Sequence, residues 1–121
     1  MANEFTITIN VVYANGYLKR SILPGAVNAS QTTQGYFGGV QIIGTSEEDL
    51  AVGDVGTPGF LWLRNLDTTN YIQIGKKVSG AMESSIKLLA GQSAWLPSDN
   101  ITWRAKANTA SCKLEFVMFD L

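Results

Sequence analysis

Apolar and polar residues alternate with a period of two along much of the chain. Phe5, Ile7, Ile9, Val11 and Tyr13 share one side of an extended segment, and Thr6, Thr8 and Asn10 take the other. That is the pattern of a half-buried strand. Asn15-Gly16 follows and marks a tight turn, because both residue types accept positive φ. Tyr17–Leu23 then returns as a second strand and stops at Pro24-Gly25. Residues 26–34 are polar and read equally as extended chain or loop.

Between Gly35 and Gly59 the chain carries seven glycines. Val40–Ile43 is a short apolar strand within that stretch. TSEEDL (residues 45–50) has the Ser46…Asp49 spacing of a helix cap. The alternation of Leu50 and Val52, ended by Gly53, favours an extended reading, and both stay open. Phe60–Leu66 is apolar on both sides, with Phe60 and Trp62 on one and Leu61 and Leu63 on the other, as expected of a central strand covered on two faces. Asp67-Thr68-Thr69-Asn70 forms a turn whose Asp and Asn can bond their own backbone. Tyr71–Gly75 returns, and residues 76–85 are polar without clear order. Ser85–Leu89 and Ser93–Leu96 flank a turn at Gly91-Gln92, and Pro97-Ser98-Asp99-Asn100 makes the next turn. Ile101, Trp103 and Ala105 alternate with Thr102, Arg104 and Lys106, and Lys113–Phe119 is the last strand. Eight or nine short strands separated by turn signals, with no sustained helical period, predict an all-β sandwich or barrel. There is no internal repeat or long linker, so one domain over residues 1–121 is expected.

Composition sharpens this picture. Only 16% of residues are charged, against an average near 25%. So little charge, with Gly, Thr, Asn and Ser filling the gaps, suits sheets and turns, or surfaces that become covered on assembly. The net charge is −1, which offers no basic excess for a phosphate backbone, so no nucleic-acid partner is expected. No apolar run reaches the roughly 20 residues of a membrane span. The first residues lack a charged segment followed by an apolar one, so no signal peptide is expected, and a single cysteine, which allows no internal disulfide, points to synthesis in a reducing cytoplasm. Cys112 is the single cysteine. It alternates with Leu114, Phe116 and Met118 and is expected in the core.

Candidate chemistry is sparse. The chain has no histidine, which removes the commonest general base and transition-metal ligand. Paired carboxylates for glycoside hydrolysis would have to come from scattered positions such as Asp54, Asp67, Asp99 and Glu115, and no spacing selects a pair. Glu47, Glu48, Asp49 and Asp54 are the one acidic cluster. Calcium is conceivable there, but adjacent carboxylates on a strand point to opposite faces and converge poorly. No catalytic residue, cofactor or metal site is therefore expected, and the protein is not expected to be an enzyme. Trp62 and Trp103 fall within apolar alternation and are expected in the core. Tyr36 and Phe37, in the glycine-rich stretch, are the candidate contact residues; anchoring a loop onto the sheet is the alternative role for both.

GDVGTPG, the apolar strand after it, the Asn-Leu-Asp-Thr-Thr-Asn turn and the Tyr-Ile-Gln-Ile-Gly return resemble small virion structural proteins of tailed bacteriophages. LLAGQSAWLP (residues 88–97) and the ending ITWRAKANTASCKLEFVMFDL extend the similarity over residues 45–121. The resemblance implies a jelly-roll-like antiparallel β-sandwich of about eight strands. It also implies a virion component: a capsid decoration (cement) protein, a head-fibre base or a neck or tail accessory protein, with the major capsid protein or other virion proteins as partners; decoration, in which a homotrimer binds and stabilises the shell, is the foremost of these. The alternative within the same resemblance is a carbohydrate- or receptor-binding module of a head fibre or tail, and an enzyme of cupin-like shape is more distant.

Overall fold

The computed structural model describes residues 4–99 and 101–121. Every regular element among them is a strand, as the alternation predicts. There are twelve strands, more than the eight or nine expected. They fall into two compact units, Met1–Thr33 and Gln34–Leu121.

The first unit is a two-stranded ribbon. β1 (Phe5–Thr8) pairs antiparallel with β4 (Ala26–Ala29), and β2 (Val11–Asn15) pairs with β3 (Leu18–Ile22). The turn lies one residue later than Asn15-Gly16 suggests. Asn15 pairs with Leu18, so Gly16 and Tyr17 are the turn residues. Gly16 has φ +60° and Tyr17 does not share the left-handed region, which is the requirement of a II′ turn with glycine first. The polar residues 26–34 resolve in favour of a strand at their start, since β4 closes the ribbon. Gln31 N donates to Glu4 Oε2 at 3.3 Å, and Thr6 Oγ1 donates to Asn28 Oδ1 across the ribbon.

The second unit is a sandwich of the remaining eight strands. These are β5 (Tyr36–Ile43), β6 (Glu48–Asp49), β7 (Pro58–Asn65), β8 (Ile72–Val78), β9 (Ala81–Leu88), β10 (Ser93–Pro97), β11 (Trp103–Ala107) and β12 (Cys112–Asp120). One sheet has the order β10-β7-β12-β5 and the other β6-β11-β8-β9. The pairs β5·β12, β6·β11, β7·β10 and β8·β9 are nested like a folded hairpin, all antiparallel. This is the double-Greek-key order of a jelly roll. The expected architecture and strand number therefore hold for residues 34–121, and the surplus strands are those of the ribbon.

Parity along each strand sorts the core. Leu61 and Leu63 on β7, Leu114, Phe116 and Met118 on β12, and Ile72 and Ile74 on β8 point inward and are buried. Cys112 and Ile43 join them, so the cysteine is a core residue as expected. Trp103 is half-buried and packs on the core, donating Nε1 to Ser98 Oγ at 2.9 Å. Trp62 differs from expectation. It shares parity with Phe60 and lies on the outer face of its sheet, half-covered.

Two local readings change. TSEEDL is extended, with β6 at its centre, because Asp49 and Glu48 pair with Arg104 and Ala105 of β11. Residues 76–85, polar and unassigned by periodicity, form the ends of β8 and β9. Ser79 and Gly80 both have positive φ and supply a two-residue I′ turn. The turn expected over Pro97–Asn100 is only partly testable, since Asn100 lies outside the described residues.

A charge cluster holds the narrow end of the second sheet. Arg104 Nε donates to Asp49 Oδ1 at 2.7 Å, and its Nη1 donates to Glu47 Oε1 at 3.2 Å and to Gly80 O at 3.1 Å. The guanidinium hydrogen bond, with the Lys77 ammonium nearby, lowers the Asp49 pKa below its usual value despite some desolvation. Asp67 is lowered too, by the backbone N–H groups of Asn70 and Thr69. A depressed carboxylate pKa gives stability that is present above the unfolded value of about 3.9 and is lost as pH falls through the folded value. The urea midpoint is therefore expected to be flat from neutral pH to about 5 and to drop below about 4. Asp49→Asn should remove part of that drop. An unchanged acid limb in Asp49→Asn would show that this pair does not cause it.

Candidate assembly surfaces

Tyr36 and Phe37 are neighbours on β5, so their side chains go to opposite faces. Phe37 pairs with Met118 on the inner side and packs against the core, with its ring 6.2 Å from Phe116. It anchors the sandwich and leaves the contact surface. Its place also fixes Gly53, where a Cβ would fall on the Phe37 ring and φ is +53°. Tyr36 points outward and is 73% exposed, so it keeps the role of a contact candidate.

Register shows what surrounds Tyr36. On the outer face of the first sheet, Pro97, Phe60, Phe119 and Tyr36 lie side by side across four strands. Next to them come Trp95, Trp62, Val117 and Gly38. The rings touch in sequence: Tyr36 to Phe119 at 6.1 Å, Phe119 to Trp95 at 6.1 Å, and Trp95 stacked on Phe60 at 5.6 Å. Aromatic pairs in such tilted and offset geometries are favourable beyond their area. Each residue was visible in the sequence, but only strand order brings Phe60, Trp95 and Phe119 beside Tyr36.

The ribbon is the second surface. No core residue among those described comes from residues 4–33. Nine of the seventeen large hydrophobic residues classed as exposed lie there, among them Val12, Tyr17, Leu18 and Leu23. Val11, Tyr13, Leu18 and Ile22 share one face by register. A two-stranded ribbon is at best marginally stable alone in water, and this one leaves uncovered the side chains that could stabilise it.

The acidic cluster is engaged internally. Glu47 and Asp49 bind Arg104, and Glu48 accepts from Gln41 Nε2 and Gly44 N. No group of three or more potential metal ligands occurs among the described residues. Burial pushes the Cys112 thiol pKa up, with a smaller contribution from Asp67. A thiol raised in this way holds less of the thiolate that attacks disulfides.

Asn65 is the residue that sequence reasoning missed. It is fully buried at the C-terminal end of β7. Its Nδ2 donates to Asn70 O and Leu88 O at 2.9 and 3.0 Å, and its Oδ1 accepts from Asp67 N at 2.9 Å. Its backbone closes two more bonds, to Gln92 O and from Gly91 N. One side chain thus ties β7 to the turn at 67–70 and to the end of β9. The available signal was parity: Asn65 continues the inward series Leu61, Leu63, where a polar residue must be fully bonded.

No family model matches this chain, and no curated protein matches it. It is similar to a solved structure of Bacillus endospore appendages, described as a novel family of disulfide-linked pili. The TM-score is 0.55 at 14% identity, over 83% of this chain and 98% of the other. The likeness carries the all-β sandwich fold. It also corrects the expected role in capsid decoration, since the similar structure is a bacterial appendage and not a phage protein. The physical reason lies in the motifs that suggested phage proteins. GDVGTPG and Asn-Leu-Asp-Thr-Thr-Asn bound β7 and so report jelly-roll turns, and a fold is shared far more widely than a function.

Proposed function

We propose that this chain is a non-catalytic structural subunit that self-associates into a polymer. The observation that carries this reading is the coreless ribbon of residues 5–29, which exposes Val11, Val12, Tyr13, Leu18 and Ile22 while the jelly roll has a complete core of its own. Contiguous exposed apolar surface marks an interaction site. The likeness to a pilus subunit supports the same reading. The count of three copies suggested by the sequence is a closed alternative. An interface between unlike surfaces adds copies head to tail, and it yields a filament where the rotation between copies does not close a ring.

Light scattering over a concentration series, with electron microscopy, tests this. Mass should grow with concentration into extended particles. A chain that stays monomeric at high concentration would sink the reading, and a fixed mass of three copies would move it to a closed ring.

The bonding differs from that of the similar pilus. A chain with one cysteine can form at most one disulfide, too few to link a subunit to two neighbours, and Cys112 is buried. Particle mass is therefore expected to be the same with and without a thiol reductant. Dissolution by reductant would overturn this.

A further inference from the structure

The four outer strands of the sandwich are not alike. β6 has two residues, both acidic; β10 is short and ends in Pro97; and β9 carries Glu83, Lys87 and a register shift. Charge, proline, brevity and bulges are the devices that protect a sheet edge from pairing. β5 has none of them. It runs eight residues, Tyr36–Ile43, without charge or proline.

Its unpaired backbone groups can be assigned. In an antiparallel ladder, successive residues turn their N–H and C=O alternately toward and away from the partner strand. Asp120 N donates to Gly35 O, and on the other side of β12 Leu66 N donates to Lys113 O and Leu121 N to Thr57 O. Even-numbered residues of β12 therefore face β5, and Phe37, Gly39, Gln41 and Ile43 answer them. Tyr36, Gly38, Val40 and Ile42 turn their backbone groups outward, and among the described residues no hydrogen bond uses them. The side chains of Val40 and Ile42 are 55% and 64% exposed.

A cavity of about 320 Å³ opens at the same edge, its lining including Phe37, Gly38, Gly39, Val40, Ala51 and Phe116. Gly39 faces inward, and a Cβ built there would meet nothing within 4 Å. The edge thus presents a row of backbone groups and one apolar hole at its middle. That is the recognition surface for an added strand with an apolar residue opposite Gly39.

We infer that β5 accepts a strand from the distal hairpin, Val11–Ile22, of a second copy of this chain. The inference rests on the polymer reading above and names its interface. The hairpin is two-stranded, so each of its strands keeps one open backbone side, and it exposes Val11, Tyr13, Leu18 and Ile22 on one face with Val12 on the other. Charge agrees. The ribbon unit has one acidic residue, Glu4, against Lys19 and Arg20, whereas the sandwich unit has nine acidic against seven basic residues. Donor hairpin and acceptor edge are unlike surfaces on one chain, so their union repeats from copy to copy.

Complementary variants of the full chain test the interface. The edge variant is Val40→Lys with Ile42→Lys, and the ribbon variant is Tyr13→Ser, Leu18→Ser with Ile22→Ser. Each alone should raise the critical concentration for polymer formation about tenfold or more, the effect of losing one apolar anchor in an interface. Mixed in equal amounts, they should form a dimer of unlike copies and stop, since one intact hairpin meets one intact edge. This pairing also shows that both variants are folded. If wild type polymerises and the edge variant polymerises equally well, or if the folded variants do not pair, the β5 interface is wrong while the polymer reading stands. A monomeric wild type removes the polymer reading itself.

Discussion

Leu63→Ala is expected to lower the stability of the sandwich by about 2–5 kcal/mol, the range for removing a buried leucine and leaving a cavity. The upper half of that range applies here. Leu63 has no exposed surface and sits mid-strand on β7, flanked in register by Phe116 of β12 and Ala94 of β10. Both neighbours belong to strands fixed by continuous ladders, so the sheet cannot collapse into the space. The loss is a large share of the roughly 5–15 kcal/mol that holds a typical domain together. In urea unfolding the midpoint should fall with little change in slope, because the surface exposed on unfolding is nearly the same. Arg64→Ala, one residue along and exposed on the outer face, should stay within about 0.5 kcal/mol. A Leu63→Ala midpoint as close to wild type as that of Arg64→Ala would mean that β7 is not the centre of the core.

That prediction could be framed from the sequence, because parity is a local property. Leu61 and Leu63 alternate with Phe60 and Trp62, and glycine, proline and aspartate bound the segment. Cys112, Leu114, Phe116 and Met118 give β12 the same way. Long-range pairing is not local. Nothing near Tyr36 says that Phe119 lies opposite it, or that Phe60 and Trp95 complete the row. The protection of three sheet edges and the bareness of the fourth likewise emerge only once strand order is known. The ribbon shows a different limit. The alternation of Phe5, Ile7, Ile9, Val11 and Tyr13 predicts a strand with one buried face. Val11 and Tyr13 are instead exposed, because a two-stranded ribbon offers no layer to bury them. Periodicity states which residues seek cover, and it does not state where the cover comes from. In this chain that gap is the basis for placing the cover on another copy.

Gly75→Ala is expected to destabilise by about 3 kcal/mol or more, at or beyond the top of the usual overpacking range. Gly75 is buried on β8, between Arg104 of β11 and Ser84 of β9. The β8·β9 register shifts between Ile74 and Gly75: Ile74 faces Ile86 and Gly75 faces Ser84. Ser85 is thus the extra residue of a bulge, and the bulge pushes the β9 backbone toward β8. A Cβ at Gly75 would fall on the carbonyl oxygen of Glu83, with Cα of Ser84 2.9 Å away. Both atoms are backbone, so no side-chain rotation relieves the clash and the ladder itself must open. The damage would reach further, because Gly80 and Met82 beside this bulge also hold the Arg104–Glu47 cluster. Gly56→Ala is the matched control. Its Cβ meets nothing within 4 Å and its φ is ordinary, so it should be neutral or stabilise by about 0.4–1 kcal/mol through the unfolded chain. Thermal and urea unfolding of the two variants side by side decide the matter. Equal midpoints for Gly75→Ala and Gly56→Ala would show that β9 does not approach β8 as closely as this bulge requires.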